Sequence, residues 1–373
     1  MSDDDFPEPD RTSGAPHPRF STQIFGHARA HATCLEALAG DMHHAWLLTG
    51  PAGIGKASFA WTLAGTLLAT PPSGGLFGAT PVTHLGLDPE HPVRTRLEAL
   101  SEPRLSLIRR GYDDKAKRLK TQITVDEVRK LHGFLGLSAP DGGRRVVLID
   151  AADDMNVTAA NAVLKLLEEP PADTVFLLIS HRPGGLLPTI KSRCRSLRFD
   201  PLGADDLVAV LARAGVDVPP QGRDTLIALA DGSAGRAVQL LEQDGLALYA
   251  ALNDVVATCP TLDRAAALKL ANATAGRGAE ARRDLTLRLF ETLLARMART
   301  GVGAPPAHFA SPAEEALCLR LAATPAAGRA WADAAETLPA KARRAVSVNL
   351  DASGVILDMI LKVNDTAGRL ARP

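Results

Sequence analysis

Four short apolar runs, near residues 45–49, 104–108, 146–150 and 175–180, punctuate the first two hundred positions, with helically spaced stretches between them. Apolar runs of that length, bounded by polar residues, read as buried strands. Their alternation with helices predicts an α/β core, a parallel sheet covered on both faces. One helix is expected from Thr124, which can cap it while Glu127 reaches back and Val125, Val128, Leu131 and Leu135 supply an apolar face. Another is expected over 157–168, closed by Pro170 and Pro171.

Past Pro201 the strand signal ends. Residues 204–243 read as three short amphipathic helices, broken at Val216–Pro220 and at Asp231 and Gly232. From 245 to 373 the chain is rich in alanine and leucine at helical spacing, and the stripe Leu285, Leu289, Thr292, Leu293 and Met297 reads as the core of a bundle. The expected organisation is a disordered tail over 1–19, an α/β core over 20–200, a small helical lid over 201–243 and an all-α bundle over 244–373. Two stretches interrupt the core: residues 71–92, rich in Pro, Gly and His, read as an extended loop, and the basic segment 109–120 reads as a hairpin or loop.

Composition narrows the function classes. The chain has 373 residues with 42 basic and 42 acidic side chains, so any contact with nucleic acid must come from a local patch. Cys34, Cys194, Cys259 and Cys318 are scattered, which offers neither a zinc site nor a disulfide framework and suits reduced cytosol. The acidic, proline-containing N-terminus is unlike a signal peptide, and no apolar stretch reaches the roughly 18 residues needed to cross a bilayer. A soluble, cytoplasmic protein is expected.

The chemistry concentrates at Gly50–Lys56, Gly-Pro-Ala-Gly-Ile-Gly-Lys, which follows the apolar run Ala45–Leu48. Strand, glycine loop and helix form a phosphate cradle: Gly50, Gly53 and Gly55 let the backbone approach an anion, and Lys56 supplies a point charge. The next position should offer a hydroxyl to magnesium, but it is Ala57, and Ser58 falls about 100° further round the helix. Asp150 closes an apolar run where such proteins steady magnesium, yet Ala151 stands where a glutamate often orients the attacking water. Asp153 reads as the cap of the following helix. The site is expected to take ATP or ADP in impaired form.

Four stretches together resemble the AAA+ clamp-loader family: the loop Gly50–Lys56, the acidic strand end Val146–Asp150, the helix Asn161–Pro171 ending in Leu-Glu-Glu-Pro-Pro, and Ser192-Arg193-Cys194. The likeness spans roughly 20–245. It implies an AAA+ core, a helical lid and a collar bundle that joins a circular pentamer, with motor ATPase subunits, a clamp-opening subunit and primer-template DNA as partners. Motor subunits of bacterial clamp loaders carry four clustered cysteines near the region corresponding to 70–95; only His84 and His91 stand here, so no zinc or other metal is expected. The resemblance gives Arg193 a role in trans, in the ATP site of a neighbouring subunit. It likens Ser180 and Arg236 to the polar sensors beside a nucleotide, and it directs Lys120, Thr121, Gln122 and Thr124 towards DNA. Three readings stay open: a mostly non-hydrolysing stator in replication, an active ATPase in which water or Asp153 replaces the missing groups, and a nucleotide-gated adaptor outside replication. Without the resemblance, Arg193, Arg195 and Arg198 read as a solvated basic helix end, Ser180 as a turn residue, Arg236 as a surface arginine and 120–124 as a solvated loop.

Overall fold

The structure is a computed structural model that describes residues 8–70, 82–113, 115, 117–136, 143–276 and 278–371. The chain divides into two units, one of Met1–Asp217 with Gly232–Gly235, the other of Val218–Asp231 with Arg236–Pro373.

In the first unit, α1 (Ala28–Ala39), β1 (Ala45–Thr49), α2 (Lys56–Ala69), α3 (Pro92–Glu98) and β2 (Leu105–Ile108) are followed by a small hairpin, β3 (Tyr112–Asp113) and β4 (Arg118–Leu119). Then come α4 (Val125–Gly136), β5 (Arg145–Ile149), α5 (Val157–Glu168), β6 (Thr174–Ser180), the short α6 (Pro188–Lys191), β7 (Arg195–Arg198) and α7 (Ala204–Arg213). Five strands form one parallel sheet in the order β2-β5-β6-β1-β7. Because side chains alternate along a strand, each central strand feeds two cores. Trp46 and Leu48, Val146 and Leu148, and Val175, Leu177 and Ile179 join α1, α2 and α3 on one face. Ala45 and Leu47, Val147 and Ile149, and Phe176 and Leu178 join α4 and α5 on the other. Burial on both faces is why these strands read as unbroken apolar runs.

The strand β7 has no counterpart among the four expected runs. It is Arg-Ser-Leu-Arg, pairs only with β1, and buries only Leu197. An edge strand with one apolar residue gives no periodic signal.

Residues 8–19 depart from the expected disordered tail. The His17 and Asp10 side chains are buried, Asp10 meets Arg109 and His17, and Pro18–Phe20 form a short 3-10 turn capped by His17. Partners about a hundred residues away decide this, and composition cannot show them. Of the expected loop 71–92, residues 71–81 lie outside the described residues; the rest leads into α3, whose first turn is capped by the His91 side chain accepting from Val93 N at 3.2 Å. The basic segment, expected as a hairpin or loop, forms a hairpin, with Arg109 paired to Asp10 and Arg110 to Asp154.

Two capping expectations change. Thr124 Oγ1 finds no hydrogen-bond partner among the described residues, and the Glu127 carboxylate is drawn to Lys130 and Lys120. Asp153 does not cap α5: Asn156 does, its Oδ1 accepting from Ala159 N at 2.8 Å. The expected span 157–168 matches α5, and the first of the three lid helices is α7.

The second unit is helical: α8 (Arg223–Ala230), α9 (Ala234–Glu242, from Arg236 onward), α10 (Gly245–Ala257), α11 (Arg264–Asn272), α12 (Glu280–Gly301), α13 (Pro312–Leu321), α14 (Pro325–Ser347) and α15 (Ala352–Leu370). Leu285, Leu289, Leu293 and Met297 are buried along α12, while Thr292 turns its hydroxyl back to Arg288 O. Helices α12 and α14 meet at glycine: a Cβ on Gly301 would stand 2.5 Å from Gly328 Cα, so only glycine allows this approach. At the centre of this unit, Glu314 accepts from both Arg296 Nη1 contacts at 3.0 Å, from the Tyr249 hydroxyl and from Ala310 N, while Arg296 Nη2 reaches Ala228 O at 2.5 Å. No helix among the described residues is long and apolar enough to cross a membrane.

Candidate functional site

The glycine loop sits where β1 ends and α2 begins, at the carboxyl edge of the sheet, with β6 and β7 beside it. Gly50 adopts φ 147°, and a Cβ there would lie 2.4 Å from Phe199 O, so the turn out of β1 requires glycine. The loop backbone is held from outside. Gly235 N donates to Gly53 O at 3.0 Å, Ser233 Oγ donates to Ala52 O at 2.9 Å, and His27 Nε2, necessarily as the N–H form, donates to Ile54 O at 2.7 Å. Gly55 precedes the first residue of α2 with φ 102°, which leaves the first N–H groups of the helix pointing into the cradle.

Lys56 is buried, and its Nζ donates to Gly50 O at 2.7 Å and to Pro51 O. Burial lowers its pKa to about 8, opposed by the nearby charges of Asp150 and Asp153. Asp150 follows β5, also buried. Its pKa is raised to about 7, chiefly by burial and then by the carboxylate of Asp10, with Lys56 and Arg109 opposing. A buried ammonium beside donor N–H groups is suited to an anion such as a phosphate. Ala57 packs against the core and brings no hydroxyl to the loop. Among the described residues no group of three or more His, Cys, Asp or Glu is arranged to hold a metal ion.

Ser180 closes β6 as expected, and its hydroxyl is committed: it donates to Asp153 Oδ1 at 2.8 Å. The Asp153 carboxylate also accepts from His181 N and Arg182 N, so it ties the end of β6 to the turn after β5. His181 follows directly on β6. Its ring is held neutral, with a pKa lowered to about 4 by burial and then by Lys56, and its Nδ1 is buried without a hydrogen-bond partner among the described residues. Nothing in the local sequence distinguishes it, and the same is true of His27, whose role depends on a contact 27 residues away.

Arg193 stands elsewhere. It lies in the turn between α6 and β7, before β7 begins, whereas the glycine loop follows β1. The two strands run parallel with Trp46 level with Arg195 and Thr49 level with Arg198. Arg193 therefore lies before the amino end of β7, beyond the roughly 13 Å that the four steps from Arg195 to Phe199 span along the strand direction to the level of the loop. Its guanidinium is partly exposed and contacts Thr189 O at 3.0 Å and Glu168 Oε1 at 2.7 Å. Cys194 beside it turns into the core, and burial raises its thiol to about 12.

Half-buried Lys120 and the exposed Thr121 and Gln122 form the bend between β4 and α4, and Thr124 is the residue before α4. Arg236 belongs to the second unit, where it donates to Leu229 O at 3.5 Å and adds to the burial that lowers Arg288.

The family model for DNA polymerase III, delta subunit, matches residues 34–203, a stretch that contains the glycine loop, Asp150, Ser180 and Arg193. The chain is 43% identical to DNA polymerase III subunit delta' of Pseudomonas aeruginosa over 198 residues, 53% of this chain and 55% of that protein. It is 31% identical to the subunit of the same name from Escherichia coli over 213 residues, 55% of this chain and 57% of that protein. Over residues 34–203 these matches support a likeness to clamp-loader subunits of the AAA+ family. The chain spans about half the length of the curated relatives it matches. A solved DNA polymerase III gamma subunit-related protein from Thermotoga maritima covers 90% of this chain and 99% of its own at 16% identity and TM-score 0.36, a likeness too loose to carry weight.

Proposed function

We propose that this chain is a delta-prime-like subunit of a DNA polymerase III clamp loader, a mostly non-hydrolysing stator that lends Arg193 to the ATP site of a neighbouring motor subunit during loading of the sliding clamp on primed DNA. One observation carries this reading: Arg193 lies at the opposite edge of the parallel sheet from Gly50–Lys56, so its guanidinium cannot serve its own chain's phosphate loop. It is exposed enough to meet a second subunit. An arginine supplied across a boundary stabilises charge on a transferring phosphoryl group, an effect of roughly 10³–10⁵ in rate, and its planar fork suits that task better than an ammonium.

The chain's own site is the poorer engine. Ala57 and Ala151 lack the hydroxyl and carboxylate that hydrolysis calls for. Asp153, the residue best placed to substitute, already accepts from Ser180, His181 and Arg182. Gly50, Gly53, Gly55 and Lys56 would cradle the phosphates of ATP or ADP, with Asp150 near them. Ser180 acts through Asp153 in this reading, and Arg236 would approach nucleotide only from the lid. Residues 244–373 would form the collar that joins motor subunits and a clamp-opening subunit, and the turn 120–122 would meet DNA phosphates.

The test is reconstitution. Arg193→Ala should lower the DNA-stimulated ATPase of the assembled complex at least tenfold while the complex still forms; unchanged turnover removes the reading. Lys56→Ala in the same complex should leave turnover nearly as it was. Brisk ATP hydrolysis by the isolated chain, abolished by Lys56→Ala, would instead favour a motor-type ATPase.

A further inference from the structure

Residues 8–20 lie outside the stretch matched by the family, yet they close on themselves over the phosphate-loop edge of the sheet. Asp10 contacts His17 Nε2 at 3.1 Å, Glu8 pairs with Arg19, and Arg19 N donates to His17 Nδ1 at 3.0 Å. Three points pin this loop around the cradle. Asp10 Oδ1 takes Arg109 Nη1 at 2.6 Å, and Arg109 follows Ile108, whose carbonyl accepts from Asp150 N at 2.9 Å. Asp10 thus stands at the carboxyl ends of β2 and β5, beside Asp150. Thr12 Oγ1 lies 3.4 Å from where a Cβ on Gly235 would stand, and Gly235 is bonded to the loop residue Gly53. His17 sets its ring edge-on to Trp61, early in α2, with centroids 5.6 Å apart.

These contacts have an electrostatic consequence. A carboxylate held next to Asp150 repels phosphate oxygens, and Glu8 with Asp10 occupies Arg109, the cation this edge of the sheet would otherwise present. The Asp10 side chain is wholly buried, so its charge is weakly screened. We propose that residues 8–20 are an autoinhibitory strap that lowers the affinity of Gly50–Lys56 for nucleoside polyphosphates, and that releasing it frees Arg109 to join the phosphate site. This rests on reading Gly50–Lys56 as a nucleotide site and is independent of Arg193. The effect of Asp10 on the Asp150 carboxyl agrees with it, since Asp10 is second only to burial in raising that group.

The experiment titrates a fluorescent ADP analogue into the full chain, with hydrogen exchange followed over 8–20. Asp10→Asn should bind at least fivefold tighter than the parent and lose exchange protection over the strap. His17→Ala, which opens the loop without touching its acids, should shift affinity the same way, and it stands in where Asp10→Asn fails to fold. Adding Arg109→Ala to either variant should return the affinity to the parental value. Unchanged or weaker binding in the folded variants overturns the strap, weaker binding making residues 8–20 a wall of the site; undetectable binding in every variant overturns it too. Lys56→Ala separates the two ideas. Binding that survives it discards the phosphate-loop reading itself, whereas binding that needs Lys56 but ignores Asp10 and His17 discards only the strap.

Discussion

Arg193 Nη2 stands 2.7 Å from Glu168 Oε1, so the arginine of Ser192-Arg193-Cys194 is paired with the end of the helix that closes in Leu-Glu-Glu-Pro. The two motifs that most distinguish the chain are one contact in space. Both side chains are substantially exposed, 35% and 43%, and a pair of that kind contributes at most about 1 kcal/mol to stability. Its functional weight is a different matter. If Arg193 engages a neighbour's phosphate, Glu168 competes for the same guanidinium. Glu168→Gln is expected to leave thermal unfolding nearly unchanged and to raise the ATPase of the assembled complex by up to about fivefold, the factor equivalent to 1 kcal/mol. A fall in turnover at unaltered assembly would mean that Glu168 aligns Arg193 rather than restrains it.

The buried Asp150 carboxyl makes stability depend on pH in a stated direction. Its folded pKa, about 7, lies above the ordinary 3.8. Between those values the folded chain holds more of this proton than the unfolded chain, so the contribution falls as pH rises from about 4 to 7, by no more than about 1.4 kcal/mol per pH unit. Asp150→Asn removes that dependence. Urea unfolding at pH 5, 6 and 7 should show the variant gaining on the parent as pH rises, with most of the gain complete by pH 7. A difference that stays flat over this range would place the carboxyl in a more solvated setting than its burial indicates.

Much of this arrangement is legible in the sequence, for a local reason. The strands β1, β5 and β6 are contiguous apolar runs because helices cover both faces, and the glycine loop is contiguous because one turn builds it. What escapes notice depends on distant partners. Asp10 and His17 look like a polar, proline-bounded tail until Arg109 and Trp61 are brought to them. Ser180 looks like a free sensor until Asp153, 27 residues earlier, takes its hydroxyl. The edge strand β7 hides because three of its four residues face solvent.

In the helical unit, Arg296 and Glu314 form a buried ion pair with Tyr249 and Ala310 completing the shell of Glu314. Burial and the Glu314 charge drive the Tyr249 phenol far above its ordinary value, so it remains a donor. Removing one partner strands the other charge in a dry interior, which costs about 3–5 kcal/mol. Glu314→Ala should lose that much in urea unfolding. Replacing both residues with apolar ones, Arg296→Met with Glu314→Leu, should recover most of it, because the penalty arises from an unpaired charge and not from the absence of a pair. Equal losses in the single and double variants would contradict this account.

Lys120 is the charge on which a DNA contact can be tested. It sits, half-buried, with the exposed Thr121 and Gln122 in the bend before α4, and Glu127 Oε1 is 3.8 Å from its ammonium. Helix N–H groups and a cation presented together suit a phosphate and carry no base readout. Each phosphate neutralised by a protein cation steepens the plot of log affinity against log salt by about 0.9. Lys120→Ala should therefore flatten that slope by about this amount for primer-template binding by the assembled complex. Glu127→Gln should act oppositely on affinity, tightening binding at low salt by freeing Lys120 from its counter-ion, and the gain should fade as salt screens the charge. An unaltered slope in Lys120→Ala, with Glu127→Gln also neutral, would leave this turn a solvated loop that DNA does not touch.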